Sequence, residues 1–265
     1  MEFVDTHAHL YSDAFDEDRA EVVRRAQEAG VTRLLLPDVD SESRAALEAM
    51  SEEYGCCTPM VGLHPTSINE NPAWREELAA VESLLAQGSE GYCAVGEIGI
   101  DLYWSQEWEA EQREAFVAQI EMALRYGLPV AIHSRDAWEA IIEELTPFAS
   151  RGVRGVIHAF TGSIEHYRTL LTLGDFVFGI GGVVTFKKSA LAPVVAEMSL
   201  NHIVLETDAP YLIPTPHRGK RNESSYIPLI AATVADLHAT SLAQVAEVTT
   251  ANAARIFSLS VGVTR

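Results

Sequence analysis

Cysteine is scarce in this chain, long apolar runs are missing, and basic residues are outnumbered. Only three cysteines occur, Cys56, Cys57 and Cys93. Sequence neighbours pair only with strain and Cys93 lies in a strand-like run, so neither a disulfide nor a thiolate zinc site is expected. No unbroken apolar run approaches the length that spans a bilayer, so no membrane partner is expected. The opening Met1-Glu2-Phe3-Val4-Asp5 lacks the basic and apolar regions of a signal peptide, and a soluble, reducing, cytoplasmic setting is the expectation. Lys+Arg total 19 against 38 Asp+Glu, a formal charge of -19. That balance excludes a broad basic groove for duplex nucleic acid, so any polyanionic substrate needs a local positive site.

What is present is a regular alternation. The 265 residues are 48% hydrophobic, enough for the core of one large α/β domain spanning 1–265. Apolar runs that stop at Gly, Pro or polar residues read as buried strands, and here they end near Thr6, Pro37, Leu63, Glu97, His133, His158, Gly179 and Thr207. Helical periodicity fills the gaps: Asp16 to Ala29, Ser41 to Tyr54, Trp74 to Gln87, Gln106 to Tyr126, Asp136 to Phe148, Ser163 to Leu173 and Ser189 to Met198. Several of these stop at a glycine, the usual C-terminal signal. The stretch from Pro228 to Phe257 also reads as helical. Eight strand-helix units point to a TIM-like (β/α)8 barrel. The alternative, a doubly wound open sheet, normally carries a glycine-rich phosphate loop after its first strand; here His7-Ala8-His9-Leu10 follows instead.

Ligand-type residues recur where the strands end. Residues two apart on a strand share a side, so His7 and His9 project together with Asp5 one step deeper, and Glu97, His133, His158 and Asp208 end four other strands. A barrel gathers such ends at the C-terminal mouth of its strands. Six N/O ligands without a thiolate exceed what one tetrahedral ion with an open position takes, and they suit two divalent ions bridged by a carboxylate. Taken singly, His133 or His158 reads equally as a hydrogen-bonded core residue. The imidazoles lean toward Zn, Mn or Fe, whereas phosphoryl chemistry commonly uses Mg.

Six ordered segments carry a resemblance: Asp5-Thr6-His7-Ala8-His9-Leu10, Gly62-Leu63-His64-Pro65, Gly96-Glu97-Ile98-Gly99-Ile100-Asp101, Pro129-Val130-Ala131-Ile132-His133-Ser134-Arg135, His158-Ala159-Phe160-Thr161-Gly162 and Glu206-Thr207-Asp208-Ala209-Pro210-Tyr211-Leu212. Through them the chain resembles the TatD family of metal-dependent deoxyribonucleases in the amidohydrolase-like superfamily, from residue 5 to Asn252. The resemblance implies a TIM-like barrel that hydrolyses phosphodiester bonds of DNA, with His7, His9, Glu97, His133, His158 and Asp208 as ligands. Glu97 stands where related hydrolases often place a carboxylated lysine bridge. Two departures from the family pattern are Thr66 after Pro65 and Ser224 after Glu223. The first removes a donor near the mouth, and the second is expected to loosen a loop.

The expected mechanism follows from charge. Glu97 and Asp208 supply two negative charges against four from two divalent ions, a mouth net positive by about two. The ions would lower the pKa of a shared water, and the metal-bound hydroxide would attack phosphorus in line. Asp208 is the expected proton acceptor, with Glu97 as the bridge. Glu206 and Asp5 are expected to orient ligating imidazoles, and His64 to stand behind the ligands or act as leaving-group acid. For Arg135 a phosphate grip and a surface ion pair both stand. For Arg218, Lys220, Arg221 and Asn222 a substrate contact and a solvated loop both stand. Tyr103, Trp104 and Trp108 read either as base stackers or, more readily, as packing over the rim. The leading function is a deoxyribonuclease acting on single-stranded ends. Hydrolysis of a small ester or amide, or of an aminoacyl-tRNA ester, and a non-catalytic metal-binding barrel are the alternatives.

Overall fold

Each apolar run expected as a strand forms one in the computed structural model, which describes residues 1–259 and so leaves 260–265 of the expected domain outside it. The strands are β1 (Phe3–Asp5), β2 (Val31–Leu36), β3 (Cys57–Pro59), β4 (Val95–Asp101), β5 (Val130–Arg135), β6 (Arg154–Ile157), β7 (Asp175–Ile180) and β8 (Ile203–Leu205). All their pairings are parallel. Their aliphatic side chains are covered on both faces, which is what lets a parallel sheet read as a continuous apolar run. The helices between them are α1 (Arg19–Glu28), α2 (Ser41–Glu53), α3 (Trp74–Gly88), α4 (Glu109–Tyr126), α5 (Trp138–Leu145), α6 (Ile164–Leu170) and α7 (Leu191–Glu197), followed by α8 (Ile227–Leu237) and α9 (Leu242–Phe257).

Laddered pairs run β1-β2-β3 and β4-β5-β6-β7-β8, and backbone hydrogen bonds join the two groups at both seams. At one seam Thr6 N–H donates to Leu205 O (3.0 Å) and Asp208 N–H to His7 O (2.9 Å); at the other Gly96 N–H donates to Val61 O and Glu97 N–H to Asp38 O, both at 2.9 Å. An open sheet would leave one seam unbonded, so the TIM-like barrel is the fold.

The barrel interior is filled by Val4, Leu35, Met60, Ala131, Val156, Val177 and Val204, and Ala253, Ile256 and Phe257 of α9 join the same cluster. Helix α9 is tied in place by Asn252 Nδ2, which donates to Leu200 O (2.9 Å) and Ile203 O (2.8 Å), and by the Arg154 guanidinium on Ile256 O. It thus plugs the end of the barrel opposite the strand C-termini.

Several boundaries are tighter than periodicity suggested. Helix α1 starts at Arg19 because a Ser12-capped 3-10 turn, Asp13–Phe15, occupies the segment before it. Helix α5 gives way at Thr146–Phe148, where Pro147 cannot continue the ladder. The stretch from Pro228 to Phe257 is two helices meeting at 109°, broken where Ala239 takes a positive φ and Ser241 caps α9 through Gln244 N–H. Among the described residues no single helix is long and apolar enough to cross a membrane. Replacing Phe257, 3% exposed, by Ala should cost about 4 kcal/mol, read as a lower urea midpoint at unchanged m-value.

Candidate metal centre

The six expected ligands converge at the mouth, and Glu97 lies at their centre. This glutamate sits within the fully buried β4. Its two oxygens face different partners: Oε2 lies 3.0 Å from His7 Nε2 and 3.8 Å from His9 Nε2, while Oε1 lies 2.9 Å from His133 Nδ1 and 3.7 Å from His158 Nε2. Asp208 Oδ1 completes the ring, 3.5 Å from His9, 3.8 Å from His158 and 3.9 Å from His7. His7 and His9 follow β1 in extended chain, and the Ala8–Ala209 bridge holds them beside Asp208. Asp208 itself takes a positive φ of 55°, a conformation aspartate tolerates better than most residues.

Further side chains set which ring nitrogen faces inward. Tyr11 O–H donates to Pro37 O (2.7 Å), so its oxygen receives His9 Nδ1–H (2.9 Å) and leaves Nε2 free as a ligand. Glu206 Oε1 lies 3.1 Å from His158 Nδ1, off the line of a straight hydrogen bond, and accepts Ala159 N–H at 2.6 Å. A Cβ on Gly179 would stand 2.0 Å from Glu206 Oε2, so glycine in β7 is what makes room for that carboxylate. Asp101 Oδ2 lies 2.9 Å from His133 Nε2, while its Oδ1 accepts the Tyr103 and Trp104 amides. Tyr11 and Asp101 were not among the expected site residues.

Other placements depart from expectation. Asp5 does not touch an imidazole: its carboxylate accepts the amides of His7 (3.3 Å) and Thr207 (3.0 Å) and the Thr207 hydroxyl (2.6 Å), clamping the β1–β8 seam. Burial raises its pKa to about 6 against those bonds. Arg221 turns away from the mouth, donating to Ala14 O and Asp18 Oδ2 over the Phe15 ring. Asn222 is buried and donates to Thr207 O (2.8 Å) and Tyr211 O (2.5 Å), bracing the backbone around Asp208. Glu223 receives a forked bond from Arg25, and Ser224 is buried. The loop with Ser224 is therefore anchored rather than loosened. Thr66 N–H donates to His64 Nδ1 (3.1 Å), which puts the proton of a neutral His64 on Nε2, 3.5 Å from Glu97 Oε1. Arg218 lies over Phe186. Arg135 reaches the cavity at the mouth and stacks on Tyr103, 3.6 Å from the ring centre. Tyr103 and Trp104 are 53% and 67% exposed, so they do not serve as packing over the rim.

The electrostatics are those of a cation site. Burial opposes ionisation of Glu97, but the charges of His7, His64 and His158 and the bond from His133 outweigh it and hold the carboxyl well below its usual range. Asp208 is held down likewise, burial being outweighed by the His9 bond and the His158 and His7 charges. Burial lowers His133 and His158, yet their carboxylate partners raise them to about 9 and about 10. His7 is lowered, by burial and by His158, whose ring stacks on it at 3.4 Å. The carboxylates thus draw positive charge onto His133 and His158, while burial and the His158 charge keep it off His7. A bound cation would replace those protons. His7 Nδ1 and Glu206 Oε2 are buried with no hydrogen-bond partner among the described atoms. Ligand atoms sharing a tetrahedral ion at about 2.1 Å lie roughly 3.4 Å apart, inside the observed 2.9–3.9 Å range. The residues fit divalent ions. With Glu206 and Asp101 counted beside Glu97 and Asp208, four carboxylates face the site, so two divalent ions would neutralise it rather than leave the excess of positive charge expected above.

Comparison with known proteins identifies relatives of this chain. A family model described as TatD related DNase matches residues 4–258. The chain is 36% identical to an uncharacterized metal-dependent hydrolase, YabD, of Bacillus subtilis, over 97% of this chain and 99% of that one. It is 34% identical to the 3'-5' ssDNA/RNA exonuclease TatD of Erwinia billingiae, over 96% and 98%. Among solved structures, the TatD homologue YJJV of Escherichia coli superposes with a TM-score of 0.90 at 28% identity, covering 97% of this chain and 98% of that one. Exchanging Glu206 for Gln should weaken metal binding about 10- to 100-fold with the fold retained; titration with a chromophoric chelator competitor reads the change, and an unchanged affinity would remove Glu206 from the site.

Proposed function

This chain belongs to the TatD-related DNase family of metal-dependent hydrolases, and from that premise we propose that it removes nucleotides from the 3' end of single-stranded DNA or RNA, using two divalent ions. The observation that carries the reading is the division of Glu97, one oxygen toward His7 and His9 and the other toward His133 and His158. The polarity and substrate follow the printed activity of relatives such as the Erwinia enzyme.

His7, His9, Asp208 and Glu97 Oε2 would hold one ion, and His133, His158 and Glu97 Oε1 the other. When bound, the ions supply Lewis-acid activation of water and charge neutralisation on the phosphate. The remaining work falls to side chains. Asp208, at 15% side-chain exposure against 3% for Glu97, is the ligating carboxylate open to the mouth. It takes a proton from the attacking water on a carboxylate oxygen. The water oxygen bonds to phosphorus, the P–O3' bond breaks, and the departing 3' oxygen gains a proton. His64 Nε2–H, fixed by the Thr66 amide, offers a hydrogen bond to a substrate oxygen. Arg135 at the cavity wall is placed to grip a phosphate.

Glu97→Ala and Asp208→Asn should each lower kcat on a single-stranded oligonucleotide by more than about a hundredfold while circular dichroism stays unchanged. Chelation should abolish hydrolysis and added divalent ions restore it. Turnover of a carbonyl ester alone, with oligonucleotides untouched, would overturn the nuclease reading, and unaltered turnover in both variants would overturn catalysis at this centre.

A further inference from the structure

The mouth has two lobes. One, of about 570 Å³, is lined by the expected ligands other than the buried His7 and is walled by Trp104, Arg135, Thr161, Val183 and Leu212. The other, of about 590 Å³, lies over the loops that follow β1 and β2 and is walled by Tyr11, Asp13, Asp40, Glu42 and Ser43. His9, His64 and Tyr211 line both, so the lobes form one trough with Tyr211 at the junction.

The rim carries unusual side chains for this molecule. The exposed large hydrophobic residues among those described are Met1, Tyr103, Trp104 and Tyr211; Trp104 and Tyr211 line the trough, and Tyr103 stacks under Arg135, which lines it too. Trp104 stands in the ligand lobe and Tyr211, 58% exposed, where the lobes meet. Exposed rings on both sides of a phosphate-cleaving centre match unpaired bases, each of which has a π-face to stack, whereas the bases of a duplex are occupied by their neighbours.

Charge separates the lobes. The three lysines of the chain, Lys187, Lys188 and Lys220, lie on the loops after β7 and β8. Together with Arg135 and Arg218 they have no carboxylate within 4.0 Å among the described residues; Arg154 on β6 shares this but spends its guanidinium on the Ile256 and Gly127 carbonyls, and arginines such as Arg24, Arg75 and Arg113 are tied to acids. The loop of Lys187 and Lys188 also supplies Val183 to the ligand lobe, and Arg218 lies over its Phe186. The second lobe is lined by Asp13, Asp40 and Glu42 and by no Lys or Arg. Since two ions would only neutralise the four carboxylates around them, these side chains decide where phosphates are tolerated.

On the 3' exonuclease reading, we infer that the trough takes the end of a single strand in one direction. The phosphates upstream of the scissile bond run beside Arg135, Lys187, Lys188 and Arg218, and Trp104 stacks the upstream base. The terminal nucleoside stacks on Tyr211 in the acidic lobe, which repels any further phosphate. Strands ending in a free 3'-hydroxyl are therefore substrates and strands ending in a 3'-phosphate are rejected.

The test compares two single-stranded oligonucleotides of one sequence, ending in 3'-hydroxyl or 3'-phosphate, with bis-para-nitrophenyl phosphate as small diester, on enzyme loaded with divalent ions. Wild type should favour the 3'-hydroxyl end by about tenfold or more in kcat/KM. The exposed-site double variant Asp13→Asn, Glu42→Gln should shrink that preference to about threefold or less. Trp104→Ala should lower the ratio of oligonucleotide to small-diester kcat/KM about tenfold, the effect of one lost stack. Equal wild-type rates on both ends, or a preference that the double variant does not move, overturn this inference and leave the exonuclease reading standing. Failure to cleave either oligonucleotide overturns both.

Discussion

The carboxylate of Glu97 is the constraint from which the rest of the centre follows. It is buried in β4 among five imidazoles, a position that isolated carboxylates do not survive unprotonated. What keeps it ionised is positive charge on the surrounding rings, and what holds those rings in place is a second layer: Tyr11 on His9, Asp101 on His133, Glu206 on His158. The barrel contributes the convergence. Its two seams fall beside the ligands, His7 and Asp208 at one and Glu97 at the other. Three of the four strands at these seams are short, β1, β3 and β8 having three residues each, while β4, which carries Glu97, has seven.

The charge balance links this centre to its surroundings. On the two-ion reading, four carboxylates would offset the ions, so attraction for a phosphate-bearing strand would come from further out, where Arg135 at the end of β5 and the Lys187, Lys188, Arg218 and Lys220 side chains on the loops after β7 and β8 have no acidic partner within 4.0 Å among the described residues. On the proposed reading, an acidic chain would serve a nucleic acid by confining its tolerance for phosphate to one side of one cavity. This also keeps broad, non-specific binding to duplexes low.

Much of this was legible in the sequence because buried parallel strands leave continuous apolar runs, and because ligand residues interrupt those runs at their ends. The barrel and the meeting of His7, His9, Glu97, His133, His158 and Asp208 at one mouth follow from that pattern. Tyr11 and Asp101 escaped notice, although the two-residue alternation that pairs His7 with His9 reaches Tyr11 in one more step, and from Glu97 it reaches Asp101 in two. For Arg221 and Asn222 polarity alone left a substrate contact and a solvated loop both open; their partners, Asp18 and the Thr207 carbonyl, lie far away in sequence or within a loop that only tertiary structure defines. The same applies to Asp5, whose position on the ligand face gave no hint that its oxygens would be used by amides. The exposure of Tyr103 and Trp104 was likewise invisible, since aromatic residues in a loop look the same whether they pack or face solvent.

The central claim, that Glu97 divides its oxygens between two cations, is tested most directly by anomalous diffraction from crystals grown with manganese or zinc. Two peaks flanking the carboxylate, one beside His7, His9 and Asp208 and one beside His133 and His158, are the result the account predicts. A single peak, or density that leaves Glu97 unbonded, would contradict it.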